Sequence, residues 1–216
     1  MKTINPDTTV GEIVRAVPSR SRIFENLGID YCCGGKKPLA PRAPQRPSVN
    51  PDAMGLSELC DHIEFVHHGY LKEELPRLDF MTRKVAAVHG GHEPRLLEVR
   101  RAFETFNAEM TAHTKGAEET IFPAIRQLEA AAASKTTATP NLKASFAKLE
   151  SEHESAGAAL ARFKELTDHY TPPEWACNTF RALYDGLRQM EKDMHLHVHK
   201  ENNVLFPRVL AIGGSA

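Results

Sequence analysis

Apolar residues after Thr171 fall at Phe180, Leu183, Leu187, Met190 and Met194, in alternating steps of three and four. That rhythm is the seam of an amphipathic helix facing a core. Continued, it lands on His197, then Glu201, then Val204, so a histidine and a carboxylate occupy positions the pattern reserves for burial. The segment from Leu96 runs the same way through Val99, Phe103, Phe106 and Met110 to His113 and Ala117. A third seam reads Leu142, Phe146, Leu149, His153, Ala156, Leu160 and Phe163. His89 closes a fourth run, Leu78, Met81, Val85 and Val88, one step off its seam.

Punctuation divides the seams into four long helices. The first is expected from about Ser57, its N-cap, to His89, with a break or kink at Pro76. The second is expected from Pro94 to Glu129, the third from Asn141 to His169, and the fourth from Pro172 to Leu205. Thr171-Pro172-Pro173-Glu174 reads as a capping box with proline at the first helical position, and Thr139-Pro140 as a similar start. No useful strand-like alternation appears. The expected fold is all-α, an antiparallel four-helix bundle over residues 57–216. Ahead of it, residues 1–39 form a small helical N-terminal unit, with Thr9-Val10-Gly11-Glu12 opening a short helix. Pro41, Pro44, Pro47 and Pro51 make residues 40–56 a stiff linker.

The polar residues on the seams change this picture from scaffold to site. His113 is followed after eight residues by Phe122-Pro123, and His197 after eight by Phe206-Pro207. A repeat carrying an inward histidine, with a carboxylate one turn on in the second copy, is what a two-metal site in a bundle requires. Without partners, each buried polar group would cost on the order of 2–7 kcal/mol. His195 and His199 also share a helical face, but they miss the seam by about 200° and are expected in solvent. His68 could line a bundle interior, although nothing ties it to the repeat. No thiolate lies on the seams, which argues against a closed zinc site; mixed nitrogen and oxygen donors suit non-haem iron open to O2 or NO, with manganese or zinc as the alternatives.

Net charge is −1 and the pI about 6.8, so no basic field argues for nucleic acid or an anionic membrane. There is no long apolar run and no signal peptide pattern, and four cysteines make no disulfide scaffold. These features lead to the expectation of a cytoplasmic protein. Tyr31-Cys32-Cys33-Gly34-Gly35 places two thiols on a turn, where they are expected to be reactive, whereas Cys60 and Cys177 read as ordinary buried thiols.

Several stretches together resemble the RIC (ScdA-type) iron–sulfur cluster repair di-iron proteins. They are IFENLGIDYCCGGKKPLA, VAAVHGGHEP, His113 ahead of TIFP, SEHESAG, TPPEWACNTFRALYDG and HVHKENNVLFPRVL. The resemblance implies a cysteine-bearing N-terminal domain joined to a hemerythrin-like bundle. It implies two non-haem irons in an Fe–O–Fe type centre, with His89, His113, His153, His197 and Glu201 as ligands, and damaged iron–sulfur proteins as partners. It also implies repair after nitrosative or oxidative stress by iron donation, with Cys32 and Cys33 as the working thiols. A hemerythrin-like sensor or carrier of O2 or NO, and nitric oxide reduction at the centre, are the alternatives. The family usually places a bridging glutamate four residues after the His113 position, where this chain has Ala117. Glu118, five residues on, is the expected substitute if a π-bulge turns it inward.

Overall fold

Each seam becomes one side of a helical rod, and three of the four rods are interrupted by a single wider turn. The computed structural model describes residues 51–134 and 142–213, within a unit spanning Asn50–Ala216. The first rod comprises α1 (Leu56–Ile63), a π-helical turn (Glu64–His68) and α2 (Gly69–His89). The second comprises α3 (Arg95–Gly116), a π turn (Ala117–Ile121) and α4 (Phe122–Ala133). The third is α5 (Lys143–Leu166), uninterrupted. The fourth comprises α6 (Asn178–Lys200), a π turn (Glu201–Leu205) and α7 (Phe206–Gly213). No strand occurs among the described residues. Residues 1–50, with Cys32, Cys33 and the proline-rich stretch, lie outside them, as does Thr139-Pro140.

The repeated Phe-Pro explains two of the wide turns. Pro123 and Pro207 have no N–H to give to the carbonyl four residues back, and their rings would clash with it. Widening the preceding turn relieves both problems: Phe122 N–H bonds to the Ala117 carbonyl and Phe206 N–H to the Glu201 carbonyl, five residues back in each case. The turn at Glu64–His68 makes the same bond from Gly69 N–H to the Glu64 carbonyl, without a nearby proline to account for it. Helix α2 runs unbroken through Pro76, so the interruption of the first rod falls eight residues before the expected place.

Neighbouring rods run antiparallel. α2 packs on α3 and α6, and α5 packs on α3 and α6, closing the bundle. The apolar seams build two separate cores. One is formed by Leu71–Val85, Leu96–Met110, Ala156–Leu166 and Phe180–Met194 seam residues. The other gathers Leu59, Ile63, Ala117, Phe122, Ile125, Phe146, Leu149, Val204 and Phe206. Between them lies a layer of buried polar residues, His68, His113, His153, His197 and Glu201.

The ends depart from the expected caps. Ser57 does not cap α1 with its own side chain; the Glu129 carboxylate of the second rod accepts from Leu56 N–H at 2.6 Å and Ser57 N–H at 2.9 Å. α5 stops at Leu166 because Asp168, His169 and Tyr170 take φ values of 47°, 57° and 61°. A left-handed residue costs roughly 1–2 kcal/mol, and this run is held by Thr167 Oγ1 accepting from Tyr170 N–H at 3.0 Å. The capping box at Thr171 does not start a helix. α6 begins at Asn178 with Cys177 as its N-cap residue, since the residue before a proline is steered away from helical backbone and two prolines follow Thr171 in succession.

Phe163 is fully buried against Phe103 and Phe106, with ring centroids 6.1 and 5.7 Å away. Phe163→Ala is expected to lower unfolding free energy by about 3–5 kcal/mol, read as a fall in the urea midpoint with the slope unchanged. A loss below about 1 kcal/mol would show that the aromatic core does not hold these rods together.

Candidate metal centre

Each rod contributes one imidazole to the polar layer. His68 ends the first π turn, His113 lies near the end of α3, His153 sits mid-way along α5, and His197 lies in the last turn of α6 with Glu201 opening the next π turn. Ligand atoms of His68, His113, His197 and Glu201 all lie within 4.8 Å of one another. The Glu201 carboxylate divides the cluster into two halves. Oε1 faces His197 Nε2 at 3.3 Å and His68 Nε2 at 3.7 Å, and those two nitrogens are 3.1 Å apart. Oε2 faces His153 Nε2 at 2.9 Å and His113 Nε2 at 3.6 Å, and those two are 3.4 Å apart.

The outer faces of the rings decide what the inner faces carry. His68 Nδ1 lies 3.0 Å from Glu118 Oε1, His113 Nδ1 2.9 Å from Glu152 Oε2, and His153 Nδ1 2.7 Å from Asn202 Oδ1. An acceptor at Nδ1 holds the ring proton there and leaves Nε2 as a lone pair, the tautomer a metal ligand needs. Lone pairs then converge on a wholly buried carboxylate whose two oxygens have no hydrogen-bond donor. His197 Nδ1 is likewise buried without a partner. Burial pushes the Glu201 carboxyl up, but positive charge on His197, and an N–H turned inward from His113, His153 or His197, outweigh it and hold its pKa well below the ordinary value, a pull that a cation in the layer would exert in their place. Burial pushes His197 down to about 4 against the pull of Glu201. For His113 burial also acts downward, yet Glu201 and Glu152 outweigh it and raise the pKa. An ionised carboxylate among inward lone pairs, buried and short of donors, fits a cation.

Two expected ligands do not join the cluster. His89 is the last residue of α2, roughly 30 Å along the axis from His68, and no metal can bridge that span. Its ring packs on Trp175 and Phe180 instead. His68 takes its place as the imidazole of the first rod. The π turn hid it: counting forward from Ile63 by four reaches His67, whereas counting back from Leu71 by three reaches His68. Glu118 sits in a π turn, as the substitution for a carboxylate at Ala117 required, but it does not point at the metal side. It binds the outer nitrogen of His68, and its oxygens also accept from Lys72 Nζ at 2.7 Å. The two nitrogens of one ring point apart, so a carboxylate on Nδ1 is out of reach of a metal on Nε2. Ala117 itself is wholly buried in the second apolar core.

A second polar group leans on the cluster from outside. The His67 ring stacks on His197 at 5.5 Å and 5°, with Nδ1 2.9 Å from Asp193 Oδ1. Lys200 Nζ donates to His67 Nε2 at 2.7 Å and His62 Nε2 at 2.9 Å. On the opposite flank an open cavity of about 200 Å³ reaches His153, lined by Ala156, Leu160, Met194, Val198 and Asn203. His195 and His199 are exposed at its rim.

His68→Ala should strip most of the bound metal from the purified protein, while His89→Ala should leave it, as read by elemental analysis. Equal loss from both would contradict the cluster. Ala117→Glu, which completes the repeat, should tighten the weaker-held metal in a competition titration with a chelator. An unchanged affinity would mean that position 117 does not face the metal.

Comparison with known proteins agrees with this geometry. Residues 61–209 match the hemerythrin HHE cation binding domain, and residues 6–59 match ScdA_N, described as a domain of unknown function (DUF542). The iron–sulfur cluster repair protein ScdA of Staphylococcus epidermidis is 31% identical over 227 residues, covering 95% of this chain and 99% of that protein. The iron–sulfur cluster repair proteins YtfE of Enterobacter sp. and Citrobacter koseri are 33% and 32% identical over 224 residues, covering 95% of this chain and 97% of each. The chain belongs to the hemerythrin HHE cation-binding family, in the branch that carries an ScdA-type N-terminal domain.

Proposed function

We propose that this chain is a non-haem di-iron protein that repairs iron–sulfur clusters damaged by nitrosative or oxidative stress, giving up iron to the damaged protein. The observation that carries the reading is the division of the cluster by Glu201, with one histidine pair at each carboxylate oxygen. His68 and His197 would hold one iron, His113 and His153 the other, and Glu201 would bridge them. Imidazole and carboxylate donors suit iron, and bound there, an iron pair supplies positions open to small ligands and a metal that can be given up. Among the described residues Glu201 alone offers a bridging carboxylate, because Ala117 offers none, and a centre with fewer anionic ligands holds iron more loosely. The repair role rests on the relatives' names, at identities of 31–33% along nearly the whole chain.

The residues around the centre have separate tasks. Glu118, Glu152 and Asn202 set the tautomers of three ligands, and removing such a partner typically weakens metal binding by about 10–100-fold. The apolar cores on either side exclude water from the layer. The cavity beside His153 is the approach for a small molecule, and it supports the second reading, an O2 or NO carrier or a nitric oxide reductase. Cys32 and Cys33 are proposed to receive iron or sulfide during repair, since thiolates bind both and hydroxyls bind them poorly. No helix among the described residues is long and apolar enough to cross a membrane.

Reactivation of a cluster-dependent dehydratase inactivated with nitric oxide, followed beside nitrous oxide release, tests the reading. The iron-loaded chain is expected to restore dehydratase activity, His197→Ala to abolish that effect, and Cys32→Ser/Cys33→Ser to weaken it with bundle iron retained. Nitrous oxide formation without reactivation would favour the reductase, and neither outcome would leave a carrier.

A further inference from the structure

Two stretches of the family resemblance are not absorbed by the metal centre, VAAVHGGHEP and TPPEWACN, and the fold brings them together at the other end of the bundle. His89 Nε2 lies 3.3 Å from Cys177 Sγ. Cys177 is exposed, contrary to its reading as a buried thiol. We propose that Cys177, paired with His89, is a reactive thiol that exchanges with small disulfides, a modification site remote from the metal centre.

The thiol does not stand by itself. The His89 ring packs against both Trp175 and Phe180, at centroid distances of 5.7 and 5.6 Å, and those two rings are 5.6 Å from each other, a three-ring cluster that holds His89 beside the sulfur. The loop carrying Cys177 is fixed by Arg181, whose guanidinium donates to the carbonyls of Glu174 at 2.6 Å, Ala176 at 3.0 Å and Pro173 at 3.3 Å. An imidazole within hydrogen-bond reach of a thiol, in a geometry set by a third group, is the arrangement that activates cysteine. Cys177 is also the residue from which a helix of 23 residues starts, so its sulfur stands at the positive end of that helix. Cys60 is the contrast within one chain: it is wholly buried, and burial pushes its thiol up to about 12.

The exchange needs nothing beyond the disulfide itself. His89 Nε2 takes the Cys177 proton, and the thiolate attacks one sulfur of the disulfide. A new S–S bond forms to Cys177, the old S–S bond breaks, and the departing thiolate takes the proton from His89. Cys177 is oxidised and the released thiol is the reduced product. Trp175, 46% exposed, packs on the His89 ring and lies edge-on to His92 at 4.6 Å, and Cys177 beside this group is itself exposed to a small reagent.

Full-length protein treated with oxidised glutathione, quenched in acid and mapped by peptide mass spectrometry, tests the proposal. At about pH 6.5 Cys177 is expected to form the mixed disulfide while Cys60 stays unmodified, and His89→Gln should slow Cys177 about tenfold. An equal rate in His89→Gln, or an unmodified Cys177, would overturn the proposal. Iron content and circular dichroism report whether the variant is folded. If it is not, the unaltered chain decides at the same pH: Cys177 exchanging faster than the cysteine of an unstructured peptide of the same sequence supports the pair, and an equal rate refutes it.

Discussion

One buried carboxylate governs this molecule. Glu201 lies where the apolar seam of the fourth rod should continue, without solvent and without a hydrogen-bond donor on either oxygen. Four imidazoles, one from each rod, turn their Nε2 atoms toward it. An ionised group in such surroundings is costly unless a cation shares the space, so the layer is stable as a metal site and poor as anything else. Everything nearby follows from this constraint. Glu118, Glu152 and Asn202 fix ring protons on the outside, and an apolar core on each side keeps the layer dry.

The helices and most of the layer were legible in the amino-acid sequence. The steps of three and four that place Phe180 through Met194 inside also place His197 and Glu201 inside, and the same holds for His113 and His153. His68 was not legible in that way, because its π turn inserts a residue into the count and the seam before it no longer predicts the seam after it. His89 was assigned by resemblance, against its own position one step off the seam, and the spacing was the better guide. Glu118 shows the reverse limit. The wide turn anticipated for it is present, but which nitrogen of which ring it meets depends on how the second rod packs on the first, where it also meets Lys72, and no local pattern encodes that. The start of α6 failed for a backbone reason, since the Thr171-Pro172-Pro173-Glu174 signature contains the first turn of a helix and also the prolines that prevent it.

The two ends of the bundle divide the chemistry. The layer of imidazoles and Glu201 is buried and built from all four rods, whereas Cys177, His89 and Trp175 are grouped at a loop that Arg181 and a left-handed run of three residues hold in place. Backbone in sparsely populated conformations persists only where the surroundings over-determine it, and here those surroundings are the Thr167 hydroxyl and the buried Tyr170 ring, whose own hydroxyl donates to the Leu160 carbonyl.

The π turns carry an implication for how such a chain can change. Each adds one residue to a rod, so the helix beyond it is rotated by about 100° relative to a regular continuation. Deleting that residue would return Pro123 or Pro207 to the clash that the wide turn relieves, and in all three rods every side chain beyond the deletion would leave its seam. The two apolar cores can therefore drift independently through substitutions, but their angular phase is locked at the turns. Insertions and deletions, harmless in the loops, are forbidden within the few residues where the inward imidazoles and Glu201 sit.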